Sequence, residues 1–199
     1  MTLFPHPLWH GTSAHLLPMI EEYGLGGRNV MAEWRVMDFL AEVFPQLNYN
    51  RFDYSDPDHN KKMLINACLQ RTNAGMNFLY GHLYVAGGYA RAASYASYAP
   101  ELISYVFWAL DMADRYGLPM IRDRLSAFPE IAAFVEQPPK PVVLKLPLVP
   151  LLALEDEKGG PIMPLLWDED PAVASILLDQ SSFRLNTVIP LREVELIYI

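Results

Sequence analysis

The chain has 199 residues, 52% of them hydrophobic and 19% charged, which excludes a disordered polymer and gives enough apolar mass for a proper core. Its 15 basic residues face 23 acidic ones, a net charge of −8, so the overall field opposes non-specific binding to nucleic acid and leaves room only for a local basic patch. The single cysteine, Cys68, excludes an internal disulfide and a multi-cysteine metal site. Cys68 lies in the apolar run Met63–Leu69 and reads as a buried helix residue rather than a nucleophile. Met1 to His10 carries neither a basic nor an apolar leader region, and no run approaches the ~18 apolar residues of a membrane span. A cytoplasmic protein with no membrane partner is the expectation.

In chain order, Leu8–Trp9 read as a short strand that runs into a tight turn at His10-Gly11-Thr12-Ser13. Leu16, Leu17, Ile20 and Tyr23 then recur at helical spacing, with Ser13 as the N-cap and Gly24 or Gly26 as the stop. Arg28–Phe44 reads as one helix whose apolar face is Val30, Trp34, Val36, Met37, Leu40 and Val43, and Pro45 ends it. Asp56-Pro57 supplies an N-cap and a first-turn proline for a third helix running to about Thr72. Residues 28–77 therefore read as a helical insertion.

The aromatic-rich run Phe78–Ala86 predicts a strand, Gly87-Gly88 a turn, and Tyr89–Tyr98 an alanine-dense helix. Glu101–Tyr116 is another helical stretch, closed by Gly117. Pro138, Pro139 and Pro141 stiffen the approach to a strand at Val142–Leu148. Pro147, Pro150, Pro161 and Pro164 cut the region after it into loops and short strands. Two more strands, Phe183–Ile189 and Val194–Ile199, flank a turn at Pro190–Arg192. This order predicts a single α+β domain.

Three segments stand out together: Leu8-Trp9-His10-Gly11-Thr12-Ser13, the tyrosines Tyr84 and Tyr95 with ten residues between them, and the C-terminal pair of strands. In this order they resemble the ADP-ribosyltransferase superfamily, in its diphtheria-toxin and poly-ADP-ribose-polymerase branch. The resemblance implies a split, strongly bent two-sheet core with outer helices, and NAD as substrate. By that likeness His10 contacts the adenosine ribose and Gly11 holds the nicotinamide carboxamide. Thr12 and Ser13 shape the same turn, and Tyr84 and Tyr95 stack on the nicotinamide. The residue types suit the ligand on physical grounds. Glycine lets a backbone approach a carboxamide, imidazole can bond a ribose hydroxyl, and tyrosines sandwich a planar ring.

Two positions depart from the family pattern. Polymerases carry a serine three residues before the second tyrosine, and here Ala92 stands there. The family's catalytic glutamate falls at Gln180-Ser181-Ser182, none of them acidic, and Ser182 aligns best because Phe183 then follows as the usual aromatic. Asp179, Glu193 and Glu195 are the nearest carboxylates in sequence. The resemblance thus implies a mono-ADP-ribosyltransferase rather than a polymerase, acting on an unidentified protein or nucleic-acid acceptor, with an inhibitory partner protein as a further toxin-like expectation. The alternative is an inactive module that binds NAD or ADP-ribose for sensing or partner binding. An RNA phosphotransferase of the same superfamily needs basic phosphate-holding residues that are not evident near His10. Among the other histidines, His6 and His15 read as surface residues, and His59 as solvent-facing or part of a weak cation patch. His82 is a secondary candidate for the cleft. The acidic groups at 155–157 and 168–170 read as solvated loops.

Overall fold

A computed structural model describes residues 2–69, 81–98, 103–162 and 171–199. Its strands are β1 (Trp9–Ser13), β2 (Leu83–Ala86), β3 (Pro141–Lys145), β4 (Leu154–Glu155), β5 (Ser182–Leu185) and β6 (Glu195–Tyr198). The helices are α1 (Leu17–Tyr23), α2 (Val30–Glu33), α3 (Val36–Val43), α4 (His59–Cys68), α5 (Tyr89–Tyr98), α6 (Ser104–Tyr116), α7 (Pro119–Asp123), α8 (Pro129–Val135) and α9 (Pro171–Gln180). The class is α+β. The chain divides into a sheet unit (Met1–Asn29, His82–Pro100, Pro139–Ile199) and a helical unit (Val30–Gly81, Glu101–Pro138). The helical unit thus draws on a second stretch beyond the insertion expected at 28–77.

In the sheet unit the six strands are all antiparallel, in the order β4-β5-β2-β1-β3-β6. Where two sheets are expected there is one, but its halves meet at a single residue pair, Trp9 with Ala86. By contrast β1 pairs with β3 along all five of its residues, and β2 with β5 along all four. The C-terminal strands are consecutive in sequence but not neighbours: β5 lies against β2, and β6 against β3. Their short connection therefore passes from one half of the sheet to the other.

The tight turn expected at residues 10–13 is strand, because those residues take the ladder to β3. Ser13 does cap the helical turn after β1, its Oγ accepting from the His15 N–H at 3.3 Å, and Gly24 closes α1 with φ 79°. Opposite residues in an antiparallel pair share a face. Val85, Phe183, Leu185, Leu154, Val142 and Leu144 share the buried face, where Phe4 meets the Phe183 ring edge-on at 5.6 Å. Trp9, Gly11, Ala86 and Val143 form the other, and Ala92 and Ala96 of α5 pack on it.

In the helical unit the single helix expected over 28–44 is broken into α2 and α3 by Arg35, in the left-handed region at φ 55°. The five-residue step from Met31 to Val36 would turn the two about 140° apart on a straight helix, onto different faces. Both are buried in the broken form. Helix α4 begins at His59, two residues beyond the proline expected to open it. Asp56 instead accepts from the Asp58 N–H and from the Lys62 ammonium, both at 2.8 Å. The helix end expected near Thr72 and the strand start expected at 78–80 lie outside the described residues. Cys68 is buried, and burial pushes its thiol up to about 12, which keeps it protonated and unreactive.

Asp58 ties α4 to the end of α6. Its carboxylate takes both terminal nitrogens of Arg115, at 2.8 and 2.9 Å, and the Tyr116 hydroxyl donates to it as well. The Arg115 hydrogen bonds hold Asp58 down at about 2 against the opposing effect of burial, while burial and the Asp58 hydrogen bond raise Tyr116. A carboxylate depressed in the fold contributes stability above its ordinary value near 4, and that contribution disappears as pH falls towards 2. Asp58→Asn should cost about 1–2 kcal/mol at neutral pH, since half-exposed Arg115 can rehydrate. The deficit relative to the native protein should shrink between about pH 4 and pH 2. Denaturant melts at both ends of that range check it, and a pH-independent difference would refute the ionic role.

Candidate functional site

The site predicted from sequence falls where β1 and β2 part. The Leu8 carbonyl accepts from the Leu146 N–H and the Ala14 N–H donates to the Lys140 carbonyl, so even-numbered residues of β1 present their backbone polar groups to β3. Gly11 therefore aims its N–H and C=O the other way, at the edge beyond the Trp9–Ala86 pair. On β2 the Gly87 N–H bonds the Ser181 carbonyl, so Val85 faces β5 and the Tyr84 carbonyl faces β1. His10 bridges this gap: its Nδ1 donates to the Tyr84 carbonyl at 2.9 Å. Since a carbonyl only accepts, Nδ1 carries the proton. A side chain here replaces the backbone ladder.

Gly11 is required by packing. A Cβ at that position would lie 1.9 Å from the Ala92 carbonyl oxygen and 2.7 Å from the Ala96 nitrogen. Its lack of a side chain lets α5 rest on β1, whereas the resemblance assigns that gap to the ligand. The Gly11 N–H and C=O lie in the plane of the sheet, whereas the contact with α5 is perpendicular to it. Gly87 and Gly88 serve α9 similarly, since Cβ atoms there would meet the Leu178 carbonyl and Asp179.

Tyr84, Ala86, Ser182 and Arg184 share the α5 face of the sheet by register, while His10 and Thr12 project to the opposite face beside Leu144 and Val142. The strand pairing therefore brings Tyr84 and Ser182 together and does not put the His10 ring with them. Tyr84 is half-buried, and burial raises its hydroxyl, with Arg184 lowering it and Glu157 raising it further. Tyr95 is 52% exposed on α5, with the Arg91 guanidinium 5.7 Å from its ring centre. His82 is exposed and precedes β2.

Among the described residues, four buried side-chain atoms lack a hydrogen-bond partner: Thr12 Oγ1, His59 Nδ1, Arg91 Nε and Ser182 Oγ. Three of them belong to β1, α5 and β5. Unpaired buried polar atoms are costly, and a ligand that supplies partners recovers that cost. His59, expected in solvent, is buried, with the Tyr54 ring 4.9 Å away.

The end of α9 and the start of β5 carry no carboxylate aimed into this face. Gln180 is exposed, and its carbonyl accepts from Arg91. Asp179 is exposed and lies against Gly88. Glu195 is on β6, four strand positions from β5 and roughly 19 Å at ~4.8 Å per strand, and pairs with Lys145 at 3.0 Å. Glu193 is on the exposed turn before that strand. Glu195 cannot act at Ser182 from β6. Two acids that read as solvated loop in the sequence are closer in the fold: Glu155 faces Arg184 across the β4–β5 ladder at 3.3 Å, and Glu157 lies 3.9 Å from Arg91. Their signal in sequence is the turn Asp156–Gly160, but nothing there reveals its partner strand.

No group of His, Cys, Asp and Glu among the described residues forms a metal site, and no described helix is long and apolar enough to cross a membrane. Comparison of the chain with protein-family models, curated proteins and solved structures finds no match in any of the three.

Proposed function

We propose that the protein is a mono-ADP-ribosyltransferase, which binds NAD at the parted edge of β1 and β2 and transfers its ADP-ribose to a protein or nucleic-acid acceptor. The observation that carries this reading is the opening itself. Two three-stranded halves join at one pair, and beyond it, among the described residues, Gly11 has no ladder pairing with β2, which leaves its N–H and C=O at the parting. A nicotinamide carboxamide needs one donor and one acceptor, and this edge has both. The same parting supports the split-core ADP-ribosyltransferase fold as part of the proposal.

In this reading Gly11 holds the carboxamide, and Tyr84 and Tyr95 flank the ring. His10, held by its Nδ1 bond at the parting, orients the ribose, and Ser182, on the Tyr84 face, offers its unpaired hydroxyl. When bound, NAD supplies an electrophilic ribose carbon and a stable leaving group. The protein's part is to fix the geometry and exclude water. A second reading, a binding module without turnover, is favoured by one observation: β5 opens on Ser182, which supplies no charge.

The test is to titrate the protein with NAD and measure nicotinamide release. Tyr95→Ala should weaken NAD binding by about 1–2 kcal/mol with the fold intact, because the ring is exposed on α5 and its loss leaves no cavity. His10→Ala should also weaken binding, and destabilise the fold by about 1 kcal/mol through loss of the bridge to Tyr84. Unchanged affinity in both folded variants would refute the site.

A further inference from the structure

The sheet face that carries Tyr84 and Ser182 lacks a carboxylate on β5 itself, yet it is not without acids. The turn after β4 is tightly built. The Asp156 carboxylate accepts from the Lys158 and Gly160 N–H groups at 2.8 and 2.7 Å, and the Asp156 N–H returns a bond to the Gly160 carbonyl at 2.8 Å. Gly159, at φ 86°, takes the conformation the turn demands. Glu157 stands on this turn.

Arg91 connects that turn to the start of β5. Its Nη1 donates to the Gln180 carbonyl, two residues before Ser182, and its Nη2 lies 3.9 Å from the Glu157 carboxylate. It sits on α5 one turn before Tyr95 and leans over that ring. One guanidinium therefore gathers Glu157, the entry to β5 and a proposed ring-stacking tyrosine. The Glu157 charge also raises the Tyr84 hydroxyl, after the larger effect of burial and against Arg184. Glu155 is committed to Arg184 at 3.3 Å, whereas the Glu157 contact is long and its side chain is 57% exposed, so it can turn to a ligand.

We infer that Glu157 supplies, from the β4 turn, the carboxylate that β5 lacks, an inference that rests on the NAD reading of this site. In the reaction the bond between ribose C1′ and the nicotinamide nitrogen breaks, and its electron pair leaves with neutral nicotinamide. Positive charge develops on the ribose, and the Glu157 carboxylate stabilises it. An acceptor hydroxyl, or water in its absence, forms the new bond to C1′ and gives its proton to Glu157, which returns it to solvent.

The experiment uses the full chain and NAD labelled in the nicotinamide ring, with binding measured by titration and release measured in single turnover. Glu157→Gln should bind NAD within about threefold of the native protein and release nicotinamide on the order of 10²-fold more slowly. Adding Ser182→Glu to that variant should restore release. Native-like release by Glu157→Gln would overturn the inference. Binding without release by the native protein would also overturn it, while leaving the NAD site standing. Failure of the native protein to bind NAD would overturn the NAD reading itself, and this inference with it.

Discussion

Gly11→Ala is expected to destabilise the protein by at least about 3 kcal/mol, enough to unfold a marginally stable domain. The added methyl would sit 1.9 Å from the Ala92 carbonyl oxygen and within 3 Å of two further backbone atoms of α5. A flexible side chain could swing aside from such a clash, but a helix backbone cannot. Either α5 lifts from β1 or β1 twists away from β3. Lifting α5 exposes Ala92, Ala96, Ala86 and Val143, and twisting β1 breaks its five-residue ladder. The left-handed region is not involved, since Gly11 is absent from the positive-φ residues. The effect is therefore purely steric, and Gly11→Ser should fare no better. Denaturant midpoints measured beside Ser13→Ala, which removes only a cap, provide the comparison. A Gly11→Ala variant with native stability would mean that α5 does not rest on β1 as described.

Ser182→Glu is expected to raise nicotinamide release by about 10- to 100-fold. Ser182 opens β5, opposite Ala86 and on the same face as Tyr84, and its buried hydroxyl has no partner among the described residues. A serine there can orient an attacking hydroxyl but contributes no charge to the cation-like ribose. A carboxylate anchored on a strand is better fixed than one on an exposed loop side chain, and less of its interaction is lost to ordering. Single-turnover release from folded Ser182→Glu checks the prediction. No gain in that variant, together with undiminished release after Asp179→Ala and Glu157→Gln, would place the chemistry elsewhere and favour the binding module.

Several elements are legible in the sequence because local chemistry decides them. Gly117 ends α6 in the left-handed region, Ser13 caps the turn after β1, and Tyr89–Tyr98 is a helix as its alanines imply. Others are hidden for equally local reasons. Helices α7 and α8 each begin on a proline, at 119 and 129, but Leu118 and Phe128 before them are not residue types that cap a helix. The break at Arg35 is tertiary: an arginine in the left-handed region has no sequence signature. For the site, the spacing of Tyr84 and Tyr95 fits a strand followed by a helix, which is what stands there. That Gly11 packs under a helix, that His10 bonds a backbone carbonyl, and that Glu157 approaches Arg91 all depend on long-range register. No window of neighbouring residues contains that information.

The pairing of β1 with β3 and of β2 with β5 also governs the order in which the chain can assemble. Strand β1 leaves the ribosome first, yet its five-residue partner lies some 130 positions later, and β2 waits about 100 positions for β5. By the time β3 emerges, both segments of the helical unit have been synthesised. The helical unit can therefore gain native contacts while β1 and β2 have only their one shared pair. Closing loops of this length carries an entropic cost that short-range contacts avoid, so the sheet should be the slow step. During synthesis β1 spends that interval as an unpaired edge carrying Trp9, and it is the segment most in need of protection until β3 arrives.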